Sequence, residues 1–301
     1  MIDLHIHTIY SDGEHTPLEV INICKEHGVD VMSIADHNTM EGVKRAIEEN
    51  PYSDLTIIPG IELGATWHIK GGTLHVLGYN IDMKNKNLND VTQAIMSDNV
   101  MRLESCVSLL KKYYGFTFKD EDLENIFNSI GNIGRPDIAK LCVEYGYCND
   151  VQHAFKKYLN PIKDEIAKRR TTLTDKDCID YIKGAGGIAC LAHPIELKCD
   201  DIYLKEYIKK LMYYGLEAVE VYQSKHTTEY SRKLKSIVDE FGLLYSVGSD
   251  YHGDLVTPDM QIGYGKDYNL CKNDATILSK ILEWKEWKKY NYMSIVLNRK
   301  L

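Results

Sequence analysis

A chain of 301 residues, 44% of them apolar and 27% charged, is long enough for one large domain or two ordinary ones and can bury a sizeable core. The net charge of −8 excludes a broad face for a phosphate backbone, which needs clustered Lys and Arg, while leaving room for a local basic pocket that holds one phosphate. Eight cysteines are scattered without C-x-x-C spacing, and no apolar run nears the roughly 18 residues of a membrane span; free thiols, a reducing cytoplasm and no membrane partner are therefore expected.

The chain opens on Met1-Ile2-Asp3-Leu4-His5, a strand pattern with no basic n-region or long apolar h-region, so no signal peptide is expected. Seven β-branched or apolar runs follow one another at 2–8, 30–36, 56–62, 74–80, 187–193, 216–222 and 243–250. Several are almost continuously apolar, as strands buried on both faces are. Most lead into an amphipathic helical stretch. Pro17 opens one that stops before Gly28, Thr174 caps another that ends at Gly184, and a third runs from Thr227 to Phe241 before Gly242. Alternating strand and helix patterns predict an α/β protein with a largely parallel sheet, closed or nearly closed into a barrel.

The rhythm breaks between 85 and 170, where no good strand pattern occurs. A long helix is predicted over Asp90 to Tyr114, with Leu103, Val107 and Leu110 on one face, and shorter ones over 119–130, 136–145 and 149–159. The predicted organisation is a barrel in two parts, 1–84 and 171–301, with 85–170 inserted between them as a helical cap.

The polar residues on the strands carry the chemistry. His5 and His7 are two apart and share a face of the first strand. Asp12 follows in the turn Ser11-Asp12-Gly13. Asp36-His37 ends the second strand, Glu62 the third, His193 the fifth, and Asp250 and His252 the seventh. His75 starts its strand, so it joins the others only if that strand runs the opposite way, as a hairpin with 56–62. Alone, each element has a plain structural explanation: a His-x-His pair in a strand, a helix cap, an ion pair. Together, six of the eleven histidines and three carboxylates at strand ends would be costly to bury unpaired. Metal ions remove that cost and take this mixture of imidazole and carboxylate.

The motifs His5-Ile6-His7, Ser11-Asp12-Gly13, Asp36-His37-Asn38, Gly60-Ile61-Glu62, Leu74-His75-Val76-Leu77-Gly78-Tyr79, Ala192-His193-Pro194 and Gly248-Ser249-Asp250-Tyr251-His252 resemble, in order, those of the PHP (polymerase and histidinol phosphatase) family. The resemblance implies a distorted seven-stranded barrel and a site for three divalent transition-metal ions (Mn, Fe or Zn). It implies His5, His7, Glu62 and Asp250 on the first ion, Asp12, His37 and His252 on the second, and Glu62, His75 and His193 on the third, with Glu62 bridging. Gly131-Asn132-Ile133-Gly134-Arg135-Pro136-Asp137-Ile138-Ala139 resembles a Gly-Arg-Pro-His-x-Ala segment of members that hydrolyse small phosphates. Arg135 matches an arginine that reaches the substrate phosphate; Asp137 stands where a histidine is usual; His226 matches a histidine near the reacting phosphate. Glu220 either orients a ligand histidine or makes a structural pair.

The activity implied is phosphoester hydrolysis, with a metal-bridged hydroxide as nucleophile and with His226 or His193 as proton donor to the leaving oxygen. The substrate expected is a small nucleotide such as a nucleoside 3′,5′-bisphosphate. The other readings are a phosphodiesterase acting on short oligonucleotides or a cyclic sugar phosphate, and a metal-binding regulatory module without turnover. No long nucleic acid is expected as a partner.

Overall fold

The computed structural model describes residues 1–129, 133–166, 170–270 and 275–281. Gly131 and Asn132 of the Gly-Arg-Pro segment and the thiol of Cys271 lie outside the described residues. The elements run β1 (Ile2–Ile6), α1 (Pro17–Glu26), β2 (Val31–Ile34), α2 (Glu41–Glu49), β3 (Thr56–Ile57), β4 (Gly60–Ala65) and β5 (Leu74–Tyr79). Then come the helices α3 (Lys86–Tyr114), α4 (Asp120–Phe127), α5 (Arg135–Glu144) and α6 (Val151–Ala154), the last continuing as one π turn over Phe155–Leu159. The chain returns through α7 (Asp175–Gly184), β6 (Ile188–Leu191), α8 (Asp201–Tyr214), β7 (Ala218–Gln223), α9 (Thr228–Phe241) and β8 (Leu244–Gly248), and adds a short hairpin, β9 (Met260–Gln261) and β10 (Gly265–Lys266).

The fold is mixed α/β. β1, β2 and β3 form one parallel sheet, and β4-β5-β6-β7-β8 form a second, mixed sheet. The run 56–62 is two strands rather than one. Pro59 has no N–H to give a ladder, so β3 stays beside β2 while β4 begins after the proline and joins the second sheet. β5 runs antiparallel to both β4 and β6, whereas β6, β7 and β8 are parallel. Gly64 pairs with His75 across the β4–β5 ladder, which turns the start of β5 toward the C-terminal ends of the other strands. Backbone hydrogen bonds join the two sheets at both edges: His7 N–H donates to Tyr251 O at 2.9 Å, and Asn38 N–H to Glu62 O at 2.8 Å.

Strand alternation separates two cores. Ile61, Leu63, Val76, Leu191, Val219 and Val221 point outward into a cluster with helix residues such as Val20, Ile182, Leu211 and Leu234. Leu77, Tyr79, Cys190, Ala218 and Val247 point the other way and fill the space between strands. His75 shares the inner face with Leu77 and Tyr79, so the apolar filling forms a floor beneath it.

α3 starts four residues earlier than its pattern suggests, because Asn85 caps it by accepting from Leu88 N–H. Its first turns place Leu88 and Val91 in the outer core. Farther along, Leu103, Cys106 and Leu110 pack with Ile138, Cys142 and Leu159 in a third cluster contributed entirely by 103–166.

Candidate metal centre

The nine ligand candidates of the sequence reading come together, in four overlapping groups: His7 with Asp12, His37 and His252; His5 with His7 and Asp250; His5 with Glu62 and His193; and His37 with Glu62 and His75. These groups divide the residues differently from the implied sets, since His7 also lies with Asp12 and His252, and His37 also lies with Glu62.

Glu62 is the hub. It is fully buried on β4, with His193 Nε2 2.8 Å and His75 Nδ1 3.0 Å from one oxygen, and His37 Nδ1 2.9 Å, His7 Nε2 3.3 Å and His5 Nε2 3.4 Å from the other. Burial alone would raise its pKa, but the imidazoles of His37, His75 and His5 outweigh it and hold the carboxyl well below the usual range. Asp250 behaves the same way: burial opposes its charge, and His5, His7 and His193 more than offset that. Asp12 reaches over from its loop, 3.3 Å from His252 Nε2 and 3.5 Å from His7 Nδ1.

Backbone geometry puts the side chains there. Asn38, His193 and Asp250 all have positive φ (55°, 23° and 57°) although none is glycine. Each lies beyond the end of a strand; His193 and Asp250 thereby bring side chains to the centre, while Asn38 accepts the Gly64 N–H. Gly248 lets β8 lie against β1: a Cβ there would sit 2.3 Å from His5 Cβ and 2.9 Å from Glu220 Oε1.

A surrounding layer of groups orients these ligands. Glu220 lies 2.9 Å from His5 Nδ1 through one oxygen and accepts His193 N–H at 2.6 Å through the other. Asp36 joins no ligand group. It accepts Thr8 N–H, Thr8 O–H and Ser11 O–H, each at 2.7 Å, and so ties down the loop that carries Asp12. Asp3 accepts from Ser249 and Gly263 N–H groups beneath His5. Sequence reasoning passed over Asp3, although its signal was present: Asp3, His5 and His7 alternate with Leu4 and Ile6, which gives the strand one polar face. Lys225, also unremarked in the sequence, stands 3.4 Å from Asp250 and 3.3 Å from Glu196.

Arg135 and His226 do not enter the cluster. Arg135 begins α5 with its guanidinium 5.4 Å over the Phe155 ring and a buried Nη1 that has no partner. It lies within electrostatic reach of Arg102, whose pKa is lowered by burial and then by Arg170 and Arg135. Asp137 accepts Gly134 N–H at 2.8 Å, a capping role at the start of α5. His226 donates from Nδ1 to Val221 O at 3.0 Å, its buried Nε2 has no partner, and burial pushes its pKa down to about 4. It lines a cavity of about 640 Å³ with Tyr222, Ser231 and Arg232 rather than the cavity beside the ligands. That second cavity, about 660 Å³, is lined by His37, Asn38, Trp67 and His75 together with Asn99, Ile133 and Arg170 from the 85–170 segment.

The donors fit metal ions. No well-aligned hydrogen bond reaches Glu62 Oε2 despite the nearby imidazoles, and His5 Nε2 and His7 Nε2 face each other at 3.1 Å. Two ring nitrogens in that position must share either a proton or a cation, and a mixed imidazole–carboxylate set suits a divalent transition metal.

A sequence profile described as the PHP domain matches residues 3–174. This chain belongs to the PHP family. Proteins similar to it include a 5′-3′ exoribonuclease of Haemophilus influenzae, 27% identical over 92% of this chain and 98% of the relative. A 3′,5′-nucleoside bisphosphate phosphatase of Chromobacterium violaceum is 26% identical over 83% of this chain and 87% of the relative. A solved structure from C. violaceum, described as an amidohydrolase with bound sulfate and no metal, superposes with a TM-score of 0.69 at 26% identity, covering 88% of this chain and 91% of the other. The chain is thus a metal-dependent phosphoesterase of the PHP type, with a candidate metal centre of His, Asp and Glu. No helix among the described residues is long and apolar enough to cross a membrane.

Proposed function

We propose that the protein hydrolyses a phosphate ester of a nucleotide, with a nucleoside 3′,5′-bisphosphate as the smallest substrate. The observation that carries this reading is the convergence of five imidazoles on one buried carboxylate, Glu62, two of which, His37 and His75, also line a 660 Å³ cavity. That volume suits a single nucleotide. His5, His7, Asp12, His37, Glu62, His75, His193, Asp250 and His252 would hold up to three ions, and Mn²⁺, Fe²⁺ or Zn²⁺ all suit these donors. Bound divalent ions supply Lewis-acid charge to the phosphate oxygens and acidify water at neutral pH.

The protein's own groups do the rest. Glu220 fixes the His5 ring so that Nε2 faces the centre. Arg170 on the cavity wall, with Arg135 and Arg102 nearby, supplies positive charge for an anionic substrate. The unpartnered, buried Nη1 of Arg135 is a donor that an incoming phosphate oxygen would satisfy. His226 is neutral at pH 7 and lines the other cavity, which argues against a contact with a substrate held beside the ligands. His193 is the other proposed donor to the leaving oxygen where it is not held by an ion; its Nδ1 has no partner among the described residues.

This reading also takes the two sheets as one distorted barrel, seven-stranded when β3 and β4 are counted as one broken strand, supported by the hydrogen bonds at both edges, with 85–170 as a cap that has its own core. The described cysteines are all free, which supports a reducing, cytoplasmic setting. The test is a hydrolysis assay of the metal-supplemented protein on nucleoside bisphosphates, short oligonucleotides and cyclic phosphates. Turnover of none of them would refute the reading and favour a binding module.

A further inference from the structure

The cavity at the metal centre shares part of its wall, on the β4–β5 hairpin, with a neighbouring depression. Thr66 and Trp67, at the hairpin tip, also line a second depression of about 350 Å³ whose other walls include His68, Tyr203 and Tyr207. Trp67 is therefore a ridge shared by both. Its ring is held in place: Nε1 donates to Leu197 O at 2.9 Å, on the turn that follows His193, and the Tyr207 ring lies 4.9 Å away. Tyr207 is fixed in turn by its hydroxyl, 2.9 Å from Asp175. On the outer side, Tyr203 O–H and His68 Nε2 are 3.1 Å apart and both side chains are exposed.

We propose that Trp67, His68 and Tyr203 form a shelf that stacks the base of a second nucleotide, next to the one whose phosphate reacts, so that the substrates include short single-stranded oligonucleotides. The inference rests on the phosphoesterase reading above. Three physical points support it. Aromatic faces take any base and need no matching hydrogen-bond pattern. Rings already locked by hydrogen bonds lose little entropy on binding. Among the described residues the one cation lining the depression, Lys210, is engaged 2.7 Å from Asp175, so the shelf offers rings rather than a phosphate site. A mononucleotide confined to the inner cavity would leave the shelf bare; a strand leaving the centre toward the hairpin would cross Trp67 and cover it. A net charge of −8 limits this to a short strand rather than a long duplex or transcript.

The experiment compares a 5′-phosphorylated RNA trinucleotide with a nucleoside 3′,5′-bisphosphate on the full chain supplemented with Mn²⁺. In Tyr203→Ala and in His68→Ala the ratio of kcat/KM for the trinucleotide to that for the bisphosphate should fall about tenfold, the scale of one lost stack. Tyr203→Phe, which keeps the ring, should restore most of the ratio. Independently of turnover, the trinucleotide should quench Trp67 fluorescence in metal-free protein, with Trp67→Phe as the blank for Trp284 and Trp287. An unchanged ratio in both alanine variants, or the absence of any Trp67-dependent quench, overturns the shelf. Wild-type protein that cleaves neither substrate overturns the phosphoesterase reading instead, and the quench then decides the shelf by itself.

Discussion

Glu220 and His5 form a fully buried pair, with a carboxylate oxygen 2.9 Å from Nδ1 of the ring. The contact keeps a proton on Nδ1 and leaves Nε2, 3.4 Å from Glu62 and 3.6 Å from Asp250, free for a metal ion. Glu220→Gln can donate as readily as it accepts and so removes that bias. Affinity for Mn²⁺ or Zn²⁺ should fall by roughly 10–100-fold, read by competition with a chromophoric chelator. Unchanged affinity would make the pair a purely structural one.

Glu62 touches five histidines, so it should matter more than any one of them. Protein prepared without chelators should carry about three ions per chain, and stripping them should lower Tm, because ions bound only by the folded state stabilise it. Glu62→Gln should reduce kcat/KM by at least about 100-fold and by more than His5→Ala does. Elemental analysis showing less than about one ion after reconstitution would end the cluster reading.

Arg135 ligates no metal in the proposed site, yet its buried Nη1 lacks a partner. Arg135→Ala should lower kcat/KM on the best small phosphate ester by about 2–4 kcal/mol, the range for removing the partner of a desolvated anion, with metal content unchanged. Equal kcat/KM in mutant and wild type would leave Arg135 as a residue that only packs on Phe155.

His226 gives the fold a pH dependence with a definite sign. Burial lowers its pKa to about 4 from an ordinary 6.5, so below pH 6.5 the unfolded chain binds a proton that the native state refuses. Its contribution is complete above pH 6.5 and is lost progressively as pH falls toward 4. Between pH 7 and pH 5 wild type should lose about 2 kcal/mol more than His226→Gln in urea unfolding of metal-free protein. Parallel pH profiles for the two proteins would show that the imidazole is solvated.

The sequence by itself located most of the strands and the polar residues at their ends. Apolar runs and capping residues such as Thr174 and Gly242 act locally, and His5 and His7 share a face wherever their strand packs. It also pointed to His75, once the start of β5 was required to meet the other strand ends. What it left open depended on contacts between distant segments. Pro59 sends β3 and β4 to different sheets, which a run of apolar residues does not reveal. Asp36 was legible only as a residue at a strand end, and Glu220 as either a partner of a ligand histidine or a structural pair; the fold placed one under the Asp12 loop and the other beside His5. Arg135 and His226 carried a motif match, but whether a side chain faces a ligand depends on how helices and loops pack over the strands. That packing brought Arg170 and Asn99 to the cavity wall and turned His226 toward a different cavity. The shelf of Trp67, His68 and Tyr203 spans more than 130 residues of chain and has no local pattern at all; it exists because a hairpin tip and the first turn of α8 meet beside the same centre.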